Sequence, residues 1–382
     1  MSSIVLSHAQ GRPSLAAILP NCAAAISGRE GELGLPAVDQ AVVLLVDGLG
    51  SLQLRARAGH ARHLVEGWGK RDTAFSFPST TVSGITTLTT GCRAGEHGML
   101  AYTVLDRATG LVRNQLSGWG EAMDPATWQP VPTIFERLEE LAPGAVPFVV
   151  GMPDYEDSGL TQASLRGAEY VPADSVAERI DATLELLARN PRCLIYLYVA
   201  ELDQAGHRFG WESDPWLAAL EELDSAVGTL RRHLPKRAGL LVTADHGMLD
   251  IPFERQIDID LDGPLAEGVE GMGGEPRLRH LYLEERAPVA HAEALAERWR
   301  AAEGSRALVV TKQEAIDAGW YGDAVTDAAR SRIGDVIVAA QKLVSYYPAG
   351  LLGPGRLVLG QHGSTTPEET LVPLIRHGAF AR

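Results

Sequence analysis

Three apolar runs in this chain each stop at an acidic residue, and no other feature narrows the possible folds as much. AVVLLV ends at Asp47, CLIYLYVAEL runs to Asp203, and GLLVTA ends at Asp245. Apolar runs without polar alternation read as strands buried on both faces, as in a parallel sheet. VPFVVG is a further run of this kind, and SVAERIDATLELLARN and PWLAALEELDSAVGTLRRHL repeat apolar residues at helical spacing. Strands alternating with helices predict an α/β chain with a doubly wound, mostly parallel central sheet.

Ligands of such sheets gather beyond the carboxyl ends of the strands. Asp47, Asp203 and Asp245 can therefore converge although they are far apart in sequence. Asp203 and His207 share one face if a helical turn follows the strand. Asp245 and His246 are adjacent, so they can serve one site only if the strand has ended; Gly247 permits a turn there. His362, in GQHGS, stands far downstream. Taken singly, a strand-end Asp reads as a cap or turn residue, Asp203 and His207 as a surface pair, and His362 as a loop histidine. Together, three carboxylates and three imidazoles predict a two-metal centre. The mixed donor set suits Zn²⁺ first, then Mn²⁺ or Fe, whereas Mg²⁺ and Ca²⁺ favour oxygen alone. Such a centre implies an activated oxygen nucleophile and a phosphoryl or sulfuryl substrate.

The segment FPSTTVSGITTLTTG places Ser79, Thr80, Thr81 and Ser83 at the start of a helix that ends at Gly91. A helix N-terminus attracts phosphoryl oxygens, and a hydroxyl beside a dication can attack phosphorus. The same hydroxyls would be favoured there simply as caps. Spacing leaves open which of them is the nucleophile.

Elsewhere the sequence is less informative. The 382 residues suit one domain, with an inserted lobe over roughly 251–348 where the βα pattern loosens. In that lobe PRLRHLYLE reads as an exposed strand, HAEALAERWRAAEG and TKQEAIDAG as surface helices, and GDVIVAAQKLVSYY as strand. Residues 1–40 read as a leader with one short helix, Ser14 to Leu19, stopped by Pro20. SLQLRARAGHARHLVEGW and TIFERLEELAPG read as helices. The formal net charge of −15 argues against nucleic-acid polymers but not against small anions at a bound dication. Cys22, Cys92 and Cys193 are widely spaced without a CxxC, so neither a disulfide framework nor a thiolate zinc site is expected. Cys92 and Cys193 are expected as buried thiols. His8, His60, His63, His233, His280, His291 and His377 read as solvated, and His97 as a turn residue. The N-terminus shows neither a signal peptide nor a membrane span, so no membrane partner and a cytoplasmic location are expected.

In combination, VDGLG at Asp47, the FPSTT to TTGCRAGEHG block, the DxxxH of Asp203 and His207, the ADHGM of Asp245 and His246, and the late His362 resemble the alkaline phosphatase superfamily. The resemblance is strongest to its type I phosphodiesterase/nucleotide pyrophosphatase branch, and it covers about residues 40–250 and the C-terminal return. It implies an alkaline phosphatase-like fold with two Zn²⁺ per chain. One would be held by Asp203, His207 and His362, the other by Asp47, Asp245, His246 and the nucleophile. Ungapped alignment of FPSTT with the downstream TG and HG puts the family's threonine nucleophile at Thr81, and so implies a phosphothreonine intermediate that water hydrolyses. The family's asparagine three residues after the nucleophile, which holds a phosphate oxygen, is replaced by Gly84, and its Phe-Pro by Val82–Ser83. Val82, through its backbone, Gly84 and Tyr155 are therefore the candidate substrate contacts, Tyr155 as a ring that stacks on a base or packs. The resemblance points to hydrolysis of a small phosphodiester or pyrophosphate. A phosphomonoesterase or phosphonate hydrolase with the same centre, and a catalytically silent metal-binding member, are the alternatives. A sulfatase is disfavoured because CRAGE around Cys92 lacks a CxPxR-like context.

Overall fold

The computed structural model of the chain describes residues 4–351 and 353–381. Five strands form the parallel part of the central sheet: β1 (Gln40–Val46), β2 (Val146–Gly151), β3 (Glu169–Pro172), β4 (Cys193–Val199) and β5 (Ala238–Thr243). Later strands are β6 (Val269–Glu275), β7 (Leu278–Leu283), β8 (Ala307–Thr311), β9 (Val336–Ala340) and β10 (Ile375–Gly378). The central order is β10-β5-β1-β4-β2-β3, with only the edge strand β10 antiparallel. β1 is buried along its whole length between β4 and β5. This explains why its sequence is an unbroken apolar run, and it brings the ends of β1, β4 and β5 side by side.

Six helices matter for the site and its support: α1 (Ile18–Ile26), α2 (Thr81–Thr90), α3 (Val176–Arg189), α4 (Glu201–Phe209), α5 (Asp214–His233) and α6 (Val289–Glu303). Ser175 and Glu178 close a capping box on α3. Gly91 ends α2 in the left-handed conformation, φ 70°.

Between residues 251 and 348 the chain builds a second, antiparallel sheet of order β6-β7-β9-β8. A separate apolar cluster packs it against α6, with Leu281, Leu295, Trp299 and Val338 at its centre.

Several sequence expectations are corrected. The segment 4–40 is not a leader: Leu15, Ile18, Leu19, Cys22 and Ile26 lie in the main core. Pro20 does not stop a helix but sits in the first turn of α1, where a missing N–H costs no internal hydrogen bond. The strand in PRLRHLYLE is buried at every position, because β7 lies inside the second sheet. SLQLRARAGHARHLVEGW is helical only over Ser51–Ala56 and in a 3-10 turn at Ala58–His60. TIFERLEELAPG forms one α-turn, Leu138–Leu141. Cys193 is buried as expected, and so is Cys22, but Cys92 is half-buried. His280 and His377 are buried rather than solvated. His97 is also buried, bonding Thr87 of α2 through Nε2 at 3.0 Å and accepting from the Met99 N–H through Nδ1. Among the described residues, no helix is long and apolar enough to cross a membrane.

Candidate metal centre

The ends of β1, β4 and β5 deliver the three acids to one place. Asp47 directly follows β1, Asp203 stands in the first turn of α4 after β4, and Asp245 follows β5 by two residues. The turn that α4 makes puts His207 beside Asp203, Nε2 to Oδ2 3.3 Å. Two groups of donors result, each able to hold a metal ion: Asp203, His207 and His362, and Asp47, Asp245 and His246. Within each group the donor atoms lie within 4.8 Å of one another. The groups adjoin, since the rings of His246 and His362 stack at 3.6 Å between centroids.

The imidazoles share one arrangement. Nδ1 of His207 faces the Gly360 carbonyl at 2.7 Å, that of His246 the Gly247 carbonyl at 3.1 Å, and that of His362 the Ser79 carbonyl at 2.8 Å. A carbonyl only accepts, so each Nδ1 carries a proton and each ring turns its Nε2 to the cluster, where a metal ion would take the lone pair in place of a proton. The carboxylates match. Asp245 Oδ1 accepts from the backbone N–H groups of Gly48 and His246, and Asp47 Oδ2 accepts from the Tyr198 hydroxyl. Asp203 Oδ1 is buried without a hydrogen-bond donor, and Asp47 Oδ1 and Asp245 Oδ2 are buried with only the shared His246 Nε2 near them, at 3.2 and 3.6 Å. Such atoms are costly unless a cation meets them.

The electrostatics point the same way. Burial, then the charge of Asp47, pushes the Asp245 carboxyl well above its ordinary range. Burial opposes charge on Asp47 too, but hydrogen bonding and charge from His246 hold its carboxyl below the ordinary range. Burial pushes Asp203 up to about 6. Burial disfavours a charged His246, yet the carboxylates of Asp245 and Asp47 override it and raise the ring to about 10. Burial, then His246 and His207, drives His362 well below its usual value. The protein groups can only share protons among themselves, and dications would satisfy all six.

Gly247 serves this site differently from the expectation. It does not take a left-handed turn, but a Cβ there would lie 2.0 Å from the Glu368 carbonyl oxygen, so the close approach of that chain requires glycine.

The four hydroxyls of the FPSTT segment separate in the structure. Ser79 Oγ donates to the Ser364 carbonyl at 2.6 Å. Thr80 occupies the N-cap of α2 without a capping hydrogen bond, and Ser83 is buried without a partner. Thr81 Oγ1 lies 3.2 Å from His246 Nε2, and Thr81 alone of the four lines the adjoining cavity. The hydroxyl that faces the cluster is thus not spent on capping.

That cavity, of about 820 Å³, opens from Asp47, Thr81 and Asp203. Its walls include Trp119, Tyr155, Tyr170, Tyr196 and Tyr198, and among the described residues no lysine or arginine lines it. Tyr155 stands edge-on to Tyr198, and its hydroxyl accepts from Gln204 Nε2 at 3.1 Å. Val82 and Gly84 are not in its walls. A Cβ at Gly84 would lie 2.6 Å from the Asp245 Cβ, so α2 packs too closely on Asp245 for a side chain at that position. Tyr198 went unnoticed in the sequence. Its signal was the pair Tyr196 and Tyr198, two apart in an otherwise apolar strand, since a buried tyrosine needs a partner for its hydroxyl.

A doubly wound sheet carrying an Asp/His cluster at its carboxyl edge is the architecture of the alkaline phosphatase superfamily. The model of the family described as type I phosphodiesterase/nucleotide pyrophosphatase matches residues 41–364, and the chain belongs to that family. An uncharacterised pyrophosphatase/phosphodiesterase of Schizosaccharomyces pombe is 26% identical over 192 residues, 48% of this chain and 39% of that protein. Human ectonucleotide pyrophosphatase/phosphodiesterase family member 7 is 29% identical over 125 residues, 31% of this chain and 27% of that protein. The matched stretches thus span well under half of these relatives. Among solved structures, murine ectonucleotide pyrophosphatase/phosphodiesterase 5 superposes with a TM-score of 0.66 at 21% identity, covering 88% of each chain. Phosphonoacetate hydrolase of Sinorhizobium meliloti 1021, in complex with phosphonoacetate, gives 0.68 at 19% identity, covering 90% of this chain and 91% of that one.

Proposed function

We propose that this protein hydrolyses small phosphodiesters or pyrophosphates with Thr81 as nucleophile at a two-zinc centre. The cavity carries the diester part of this reading. The cavity of about 820 Å³ beside Thr81 is larger than a small phosphonate needs, and a phosphomonoester keeps no organic group on phosphorus once its ester bond breaks. A diester retains an organic group on phosphorus after the first bond breaks, and that group needs such a space. Without lysine or arginine among the described lining residues, the space suits an uncharged ring system better than a second anion. A solved structure of inactive murine ectonucleotide pyrophosphatase/phosphodiesterase 5 in complex with AMP supports a substrate of this kind.

Asp203, His207 and His362 would hold one zinc, and Asp47, Asp245, His246 and Thr81 the other. Zinc bound there supplies Lewis acidity to the phosphoryl oxygens and favours the ionised threonine hydroxyl. Thr81 Oγ1 attacks phosphorus in line, the bond to the leaving oxygen breaks, and water hydrolyses the phosphothreonine to restore the hydroxyl. The three backbone carbonyls behind Nδ1 keep the imidazoles in one tautomer throughout. The first α2 turn presents its free N–H groups beside Thr81, where they can stabilise a phosphoryl oxygen.

The test is zinc content together with turnover of bis-p-nitrophenyl phosphate and p-nitrophenyl phosphate, before and after chelation. Two zincs per chain and chelator-sensitive preference for the diester are expected. A monoester preference would replace the diester reading with a phosphomonoesterase. Zinc without turnover would favour a silent metal-binding member.

A further inference from the structure

The second sheet contributes no candidate metal donor, yet its β6–β7 hairpin tip reaches the chain that carries His362. We infer that Arg277, at this tip, is a positioning residue that sets His362 through Glu369; this rests on the metal reading above.

Arg277 and Glu369 are both fully buried. The guanidinium donates from Nε to Glu369 Oε1 at 2.7 Å and from Nη2 to Oε2 at 2.8 Å. Its remaining donors meet the carbonyls of Ala340, Lys342 and Val344, at the end of β9 and just beyond. Glu369 in turn accepts from the Ser364 N–H at 2.9 Å and the Thr366 hydroxyl at 2.7 Å. These bonds pin the segment that follows His362. Two further links lead from it to the cluster. The Ser364 carbonyl accepts from Ser79 Oγ, and the Ser79 carbonyl is the partner of His362 Nδ1. The Glu369 carbonyl accepts from the Gly247 N–H at 2.8 Å, next to His246. At the same tip Glu275 accepts from the Tyr102 N–H and abuts Gly363, where a Cβ would lie 2.8 Å from its own.

A side chain that makes five hydrogen bonds in a fully buried place does more than fill space. His362 follows only a two-residue strand, Gly360–Gln361 paired with Leu249–Asp250, and precedes a single bridge from Gly363 to Ser79, so no long element fixes it. No residue of the second sheet lines the cavity, so the sheet acts as a prop for one half of the metal centre and not as a wall for substrate.

The test uses the full chain and zinc titration against a competing chelator, so that it reads binding and not turnover. Removing Arg277 alone would strand a buried carboxylate, so the main variant is the paired Arg277→Met/Glu369→Leu, in which both charges go and the volume stays. Glu369→Gln, which keeps the shape, is the milder second variant. In the paired variant the zinc equivalent that His362→Ala also weakens should lose about 10–100-fold in affinity, the scale expected for a group behind a metal ligand, while the other is unchanged. Glu369→Gln should show a smaller loss of the same equivalent. In a His362→Ala background the paired change should add nothing, because the ligand it positions is gone. Wild-type affinity at both sites in a folded paired variant would overturn the inference and leave the metal reading intact. Equal weakening of both sites would make the ion pair a general stabiliser. A wild-type protein that binds no zinc would remove both readings together.

Discussion

The carboxyl edge of the central sheet and the Arg277–Glu369 contact of the second sheet both bury charge, and they treat it in opposite ways. At the sheet edge, Asp203 keeps one carboxylate oxygen without a donor, and one oxygen each of Asp47 and Asp245 has only the shared His246 Nε2. At the second sheet both Glu369 oxygens and all donors of Arg277 are bonded. A fully satisfied buried pair is a structural clamp, whereas orphaned oxygens packed together mark a place that expects a partner from outside. The histidines divide likewise. His207, His246 and His362 turn Nε2 towards carboxylates, while His97, His280 and His377 are neutral rings inside the core.

The largest effect should come from the reactive edge. Thr81→Ala is expected to lower kcat by on the order of 10⁴-fold or more, while zinc content and melting temperature hold. A loss below about tenfold would move the nucleophile to another group. Next, Tyr198→Phe removes the single hydroxyl bonded to Asp47 and leaves the ring that lines the cavity. Zinc affinity at the Asp47 half should fall by about tenfold, with KM for a diester nearly unchanged. A rise in KM at constant zinc affinity would make Tyr198 a substrate contact instead.

The smallest effect tests the neutral core histidines. Burial lowers His97 and His280 to about 3 and His377 to about 4, from 6.5 when solvated. Between those limits the unfolded chain binds protons that the folded chain refuses. Their contribution to stability is therefore complete above about pH 6.5 and is lost as the pH falls towards 4 and 3. The melting temperature should drop from pH 7 to pH 5, and His280→Gln should flatten that dependence by about one proton's share. An unchanged slope would show that His280 takes up a proton within the fold, and would blur the contrast with the metal centre.

The central sheet was legible in the chain because burial on both faces of β1, β4 and β5 leaves no polar alternation, and because the acids that converge at its edge stand where such strands stop. Asp203 and His207 were legible as a pair because a helical spacing of four is local. The failures were of other kinds. SLQLRARAGHARHLVEGW carries helical spacing but breaks after one and a half turns, since tertiary contacts outweigh weak propensity. His280 and His377 sit among charged residues in sequence and in the core in space. Gly84 looked like a lost phosphate contact, and the structure shows a helix packed against Asp245 too closely for any side chain.

From the order of its residues alone, this chain settles the parallel sheet and the donors at its edge, because strand burial, strand ends and helical spacing are written in neighbouring positions. Which hydroxyl faces the cluster, which tyrosines wall the cavity, and how Arg277 meets Glu369 across 92 residues were decided only in three dimensions. Those contacts depend on how separately legible elements pack, and packing leaves no periodic trace in a sequence.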